Sequence, residues 1–106
     1  LVTTPHPNAS HVALKAGLGA KEIGHQVIGV VENMSYYYNE ANHQKEYIFG
    51  KGGGIKVSEM LDVPLLMEIP LREPLDETSN IYSELDMNGK LFIALASKVL
   101  KYKGER

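Results

Sequence analysis

Residues 27–31 read VIGVV, a continuous apolar run rich in β-branched side chains and too short for a helix, which predicts a strand buried on both faces. Strands of that kind belong to parallel sheets, where crossover helices cover each face. The run passes into a polar and aromatic excursion over residues 29–54, GVVENMSYYYNEANHQKEYIFGKGGG, which ends in three consecutive glycines. A loop this long inside a compact domain predicts a functional segment. Tyr36, Tyr37, Tyr38, Tyr47 and Phe49 place five of the chain's eight aromatic residues there, available to fill a pocket or face a partner.

Upstream, residues 1–5, LVTTP, form a β-branched run stopped by proline, and the lack of an initiator Met reads as a segment cut from a longer chain. Asn8 and Ser10 are each good N-caps for the helical pattern that follows, whose apolar stripe is predicted at Val12, Ala16, Gly19 and Ile23. Gly17 and Gly19 each cost such a helix roughly 1 kcal/mol relative to Ala, which close approach of the helix to a sheet would offset. Downstream, residues 55–61 predict a short helix with Val57, Met60 and Leu61 as apolar positions, closed by Asp62-Val63-Pro64. Residues 65–69 predict the next strand, ended by Pro70. Residues 72–89 are polar and poorly patterned, with room for one irregular helical turn. From Lys90 an amphipathic helix runs toward Lys101, with Leu91, Ala94, Leu95, Val99 and Tyr102 on one face. Lys98, Lys101 and Lys103 suit the negative pole of its dipole.

The order strand, helix, strand, loop, helix, strand, helix predicts an α/β fold with about three parallel strands, right-handed crossovers and flanking helices. Three strands buried on both faces leave apolar surface and a sheet edge uncovered, so further strands are expected in a preceding segment or a partner chain.

A chain of 106 residues, 43% hydrophobic and 23% charged, is sized for one ordinary soluble domain. Its formal net charge of -2 gives no electrostatic reason to expect nucleic acid or an anionic membrane as partner. No apolar run reaches the length of a membrane span and no secretory leader is seen, so the expected location is cytoplasmic. With no cysteine, the chain supplies neither disulfides nor thiolate metal ligands.

The stretch GKGGGIKVS at residues 50–58 invites comparison with a phosphate-binding P-loop, and the comparison fails in detail. A Walker A loop needs Gly before its Lys and a hydroxyl after it. Here Ile55 precedes Lys56 and Val57 follows. The favoured reading is a flexible glycine turn feeding a helix; the alternative is an anion site with Lys51 as a mobile phosphate contact. His6, His11, His25 and His43 form no recognisable metal spacing and read as surface or capping residues, with His6 placed just beyond the strand end at Pro5.

TTP at residues 3–5, GVVENMSYY at 29–37, YIFGKGGG at 47–54 and VPLLMEIPL at 63–71 follow one another in an order and spacing that resembles the C-terminal half of Mrp-type ATPases. This family includes the ApbC group, belongs with the ParA and MinD-like P-loop ATPases, and is associated with carrying iron-sulfur clusters. The resemblance covers residues 1–71, and the tail is generic. It implies that residues 1–106 are one C-terminal portion of a parallel-sheet P-loop NTPase domain, without its N-terminal half. The implied cofactor is ATP, with Mg2+ in the complete protein. The implied partners are a second copy or the missing half, together with iron-sulfur apo-protein targets.

In related ATPases the Asn after this strand contacts adenine and the segment after the later Ile-Pro turn lines the same pocket, which implies Asn33, Pro70 and Leu71 as binding residues. An Asn amide suits an adenine edge; the residue by itself reads first as a cap for the turn leaving the strand, and the resemblance reverses that order. The P-loop lysine, switch carboxylates and Walker B aspartate lie upstream in the family, so no catalytic residue is expected here and no ATP hydrolysis by this chain alone. Many members carry a CxxC in the tyrosine loop, where thiolates from two subunits bridge a cluster. By spacing, Asn39 and Asn42 occupy those positions, and asparagine is a poor ligand for cluster iron. Two functions follow. One is the adenine-side pocket and dimer loop of an ATP-binding protein of iron-sulfur cluster assembly; the other is a Cys-less nucleotide-binding or regulatory module that uses the tyrosine loop for protein contacts.

Overall fold

The computed structural model describes residues 1–39, 41–72 and 85–104, which fall into two units, Leu1–Leu71 and Arg72–Arg106. In chain order the first holds β1 (Val2–Thr3), α1 (Pro7–Glu22), β2 (Val30–Glu32), β3 (Tyr37–Asn39), β4 (Gln44–Glu46), α2 (Gly53–Leu61) and β5 (Leu65–Glu68). The second holds α3 (Met87–Gly104). Most of the irregular stretch expected over residues 72–89 lies outside the described residues.

β1, β2 and β5 form a parallel sheet in that order, with Val2 opposite Val31 and Glu32 opposite Glu68. This is the α/β architecture that the two apolar runs predict. β2 is buried along its whole length, whereas β5 is only half-buried. The core gathers Val30, Val57 and Leu61, with Leu14, Val63 and Leu65 packed around them. Each of the three fully buried side chains contributes about 1.5–3 kcal/mol.

α1 departs from the expected pattern at its start and in its buried face. His6 is the N-cap, its Nδ1 accepting the Asn8 N–H at 3.1 Å, and Pro7 takes the first helical position, where its fixed φ and missing N–H cost nothing. Ser10 therefore lies inside the helix, and its hydroxyl donates back to the carbonyls of His6 and Pro7. The buried stripe is Ser10, Ala13 and Gly17, while Val12 and Ile23 are exposed. Close packing of α1 on α2 explains the exchange, because it selects small residues over apolar bulk. A Cβ on Gly17 would stand 2.5 Å from Leu61 Cδ1, whereas Gly19 faces open space. The close approach is thus chiefly to a neighbouring helix.

α2 begins at Gly53, earlier than the apolar pattern suggests, and buries Val57, Ser58 and Leu61 while Met60 stays exposed. Asp62 ends it in the left-handed conformation, and the Lys21 ammonium donates to the Leu61 carbonyl at its negative pole. In α3, Leu91, Leu95, Val99 and Tyr102 are half-buried as the amphipathic pattern predicts, whereas Ala94 is exposed. Among the described residues, no helix is long and apolar enough to cross a membrane.

The excursion is not an open loop. β3 and β4 pair antiparallel, Tyr37 with Glu46, Tyr38 with Lys45 and Asn39 with Gln44. The signal was present in a run of strand-forming tyrosines followed by an asparagine-rich tip.

Candidate functional site

Three chain segments converge at the C-terminal edge of the parallel sheet, the edge at which α/β sheets bind ligands. Asn33 N–H donates to the Thr3 carbonyl at 2.7 Å, and Ile69 N–H to the Glu32 carbonyl at 2.8 Å. Beyond the strands, Ser35 N–H donates to Ile69 at 2.9 Å and Leu71 N–H to Tyr36 at 2.7 Å. These bonds bring the Thr-Thr-Pro turn, Asn33 and the Ile69-Pro70-Leu71 turn together. Pro70 is buried, while Asn33 and Leu71 are half-buried.

The Asn33 side chain meets its local turn role directly, for its Oδ1 accepts the Met34 N–H at 2.9 Å. Met34 follows with a φ of 52°, an unusual conformation for a non-glycine residue. A carbonyl oxygen has a second lone pair and the amide nitrogen has two donors. Capping the turn therefore leaves the amide chemically competent to meet a base edge.

The glycine-rich segment is shaped by packing and capping. Gly52 is the N-cap of α2 with a φ of 83° and no side chain to cap with. The cap comes instead from β2: the Gly54 N–H donates to Glu32 Oε1 at 2.9 Å. A Cβ on Gly54 would stand 2.9 Å from Glu32 Cβ, and one on Gly53 would stand 2.7 Å from the Pro5 carbonyl oxygen. Glu32 is 3% exposed, and its Oε2 accepts the Ser35 hydroxyl at 2.6 Å, with Glu68 Oε2 at 3.4 Å from the same hydroxyl. A carboxylate thus already occupies the electropositive start of α2, the position that a phosphate takes in a P-loop. Lys51 lies with its ammonium 4.9 Å over the Tyr47 ring. The favoured glycine-turn reading holds, with its physical cause supplied by Pro5 and Glu32.

Neither Glu32 nor Ser35 stood out from the sequence as a site residue. The signal was a carboxylate and a hydroxyl flanking Asn33 at the end of a fully apolar run, where burial demands partners. A separate cavity of about 460 Å³ opens between α1 and α2, lined among others by Pro5, His11, Lys51, Lys56 and Met60. Asn33, Pro70 and Leu71 do not line it.

At the hairpin tip, Asn39 Oδ1 accepts the Ala41 N–H at 3.0 Å and its Nδ2 donates to Glu46 Oε1 at 3.1 Å. Asn42 Oδ1 accepts the Gln44 N–H at 3.0 Å. Both side chains therefore work as turn formers. His43, at a φ of 55°, shares a hydrogen bond of 3.3 Å with the Tyr38 hydroxyl. Among the described residues, no three His, Asp or Glu side chains are grouped to hold a metal ion, and the chain has no cysteine. These residues do not fit an iron-sulfur cluster. The base of the hairpin is aromatic, with Tyr36 and Tyr47 rings 6.2 Å apart and the Lys45 ammonium 4.5 Å over Tyr36.

Comparison with known proteins identifies the family. The family described as NUBPL iron-transfer P-loop NTPase, of the ParA group, matches residues 1–98. A protein of Bacillus subtilis (strain 168) named iron-sulfur cluster carrier protein is 44% identical over 103 residues, covering 93% of this chain and 29% of that protein. A protein of the same name from Saccharolobus solfataricus is 32% identical, covering 95% of this chain and 36% of that protein. Another, from Mycobacterium leprae, is 43% identical over 67% of this chain. The chain spans about a third of the length of the first two of these relatives. With the family match running across all the elements at the sheet edge, the chain belongs to the NUBPL iron-transfer P-loop NTPases, a nucleotide-binding family.

Proposed function

We propose that this chain supplies the adenine side of an ATP site, together with a dimer loop, in an Mrp/ApbC-type protein of iron-sulfur cluster carriage. The observation that carries the reading is the juxtaposition of Asn33 with Thr3 and with Ile69-Pro70-Leu71 at the C-terminal sheet edge. In this reading the Asn33 amide meets the base edge, and Pro70 and Leu71 form the apolar wall beside it. The Met34 N–H on Asn33 Oδ1 and the Leu71 N–H on the Tyr36 carbonyl hold both segments in place before ligand arrives, which lowers the ordering cost of binding.

ATP with Mg2+ supplies the free energy of phosphoryl transfer when bound. We assign the P-loop that holds those phosphates to an N-terminal half of the same ATPase domain, of which residues 1–106 form the C-terminal portion. A second copy or that half completes the site, iron-sulfur apo-proteins are the targets, and the cytoplasm is the location. Calorimetry of the intact protein tests the base pocket: Asn33→Ala should weaken ATP binding about tenfold, the loss of roughly one good hydrogen-bonded contact. Unchanged affinity overturns it.

A second reading is favoured by the tip of the hairpin, where Asn39 and Asn42 spend their carbonyl oxygens on backbone N–H groups. In that reading the protein binds nucleotide and uses exposed Tyr37 and its neighbours for protein contacts, with no cluster held by this chain. Anaerobic reconstitution separates the two. Stoichiometric iron and sulfide on the intact protein support the carrier; none supports the interaction module.

A further inference from the structure

Glu32 is a charged side chain at 3% exposure, and burial of a carboxylate is costly unless each oxygen is satisfied. Both oxygens are satisfied, and by different elements. Oε1 takes the N–H of Gly54 at the start of α2, and Oε2 takes the hydroxyl of Ser35, two residues beyond Asn33. The Glu32 main chain adds a third tie, its carbonyl accepting the Ile69 N–H just before Pro70. Glycine at position 54 lets α2 approach until a Cβ there would meet Glu32 Cβ at 2.9 Å, so the helix start and the strand end are in direct contact.

We infer that Glu32 is a positioning residue of the base pocket: its carboxylate bridges Gly54 and Ser35, and so fixes the strand end from which Asn33 presents its amide. This rests on the adenine-side reading of Asn33. The carboxylate acts through geometry and does not touch the nucleotide. The bridge spans both sides of Asn33 in sequence, at residues 32 and 35, so its loss frees the turn on which amide orientation depends. An amide that wanders loses discrimination between bases before it loses general affinity, because phosphate and ribose contacts lie elsewhere.

The test uses the intact protein and the dissociation constants for ATP and GTP. Glu32→Gln keeps an oxygen that can accept the Gly54 N–H, and its ATP-to-GTP preference should stay within about threefold of wild type. Glu32→Ala should lose about tenfold of that preference, mostly through weaker ATP binding. Glu32→Asp, which keeps the charge but is one methylene too short to bridge both partners, should lose it as well, and serves if the alanine variant does not fold. Val57→Ala, packed with Val30 and Leu61 in the core, is the control for stability alone and should leave the preference unchanged. The inference is overturned if Asn33→Ala abolishes the preference while Glu32→Asp or Glu32→Ala keeps it. A preference untouched by Asn33→Ala removes the base-pocket reading itself, and this inference falls with it.

Discussion

Gly53 lies against Pro5 so closely that a Cβ added to it would stand 2.7 Å from the Pro5 carbonyl oxygen. Backbone cannot move aside as a side chain can, so Gly53→Ala should destabilise the protein by about 1–3 kcal/mol. Gly17→Ala meets the side-chain ends of Leu61 and Leu1 and no backbone, and its gain in helix propensity of about 1 kcal/mol offsets much of the clash. Urea unfolding should therefore rank Gly53→Ala as clearly the more damaging. A reversed order contradicts the packing of α2 on the Thr-Thr-Pro turn.

Ser35 is 1% exposed, and its hydroxyl donates to Glu32 Oε2 at 2.6 Å. Removing it with Ser35→Ala leaves a buried carboxylate oxygen short of a partner and should cost about 1.5–3 kcal/mol. A double-mutant cycle with Glu32→Ala should show a coupling of about 1 kcal/mol or more. Additive losses mean that the two side chains do not act together.

Asp62 closes α2 at a φ of 56°, with its N–H on the Glu59 carbonyl and that of Val63 on Ser58. This is the glycine position of a helix C-terminus, so Asp62→Gly should stabilise the fold by about 0.5–1 kcal/mol. Thermal unfolding that shifts downward for this variant rules out the strain.

The hairpin tip is closed by amide side chains, so its order should not depend on metal. Backbone hydrogen exchange at Ala41 and Gln44 is expected to be the same with and without a chelator. Asn39→Ala should speed exchange at Ala41, and Asn42→Ala at Gln44, because each removes the acceptor of that N–H. Protection that collapses on chelation points instead to a metal-held tip.

The sheet was legible in the sequence because VIGVV and LLMEI are short, apolar and followed by polar or proline residues, a pattern with few alternatives. The expectation that Asn33 and Pro70 share one pocket came from the resemblance to Mrp-type ATPases, not from the strand pattern. The buried face of α1 was not legible, because Ser10, Ala13 and Gly17 are selected for size against α2, and hydropathy does not record size. The hairpin was hidden by reading three tyrosines as a loop. The role of Glu32 depends on Gly54 being brought to it across 22 residues of chain, a contact no local pattern contains. The same separation hid why the glycines are there, since their partners are Pro5 and Glu32 rather than a phosphate.

Photolabelling of the intact protein with 8-azido-ATP, followed by peptide mapping, tests the central claim most directly. The account predicts adducts confined, within this chain, to peptides containing Asn33 or Pro70 and Leu71, suppressed by excess ATP and weakened by Asn33→Ala. ATP-protected labelling concentrated instead on the cavity between α1 and α2, at His11 or Lys56, would contradict it.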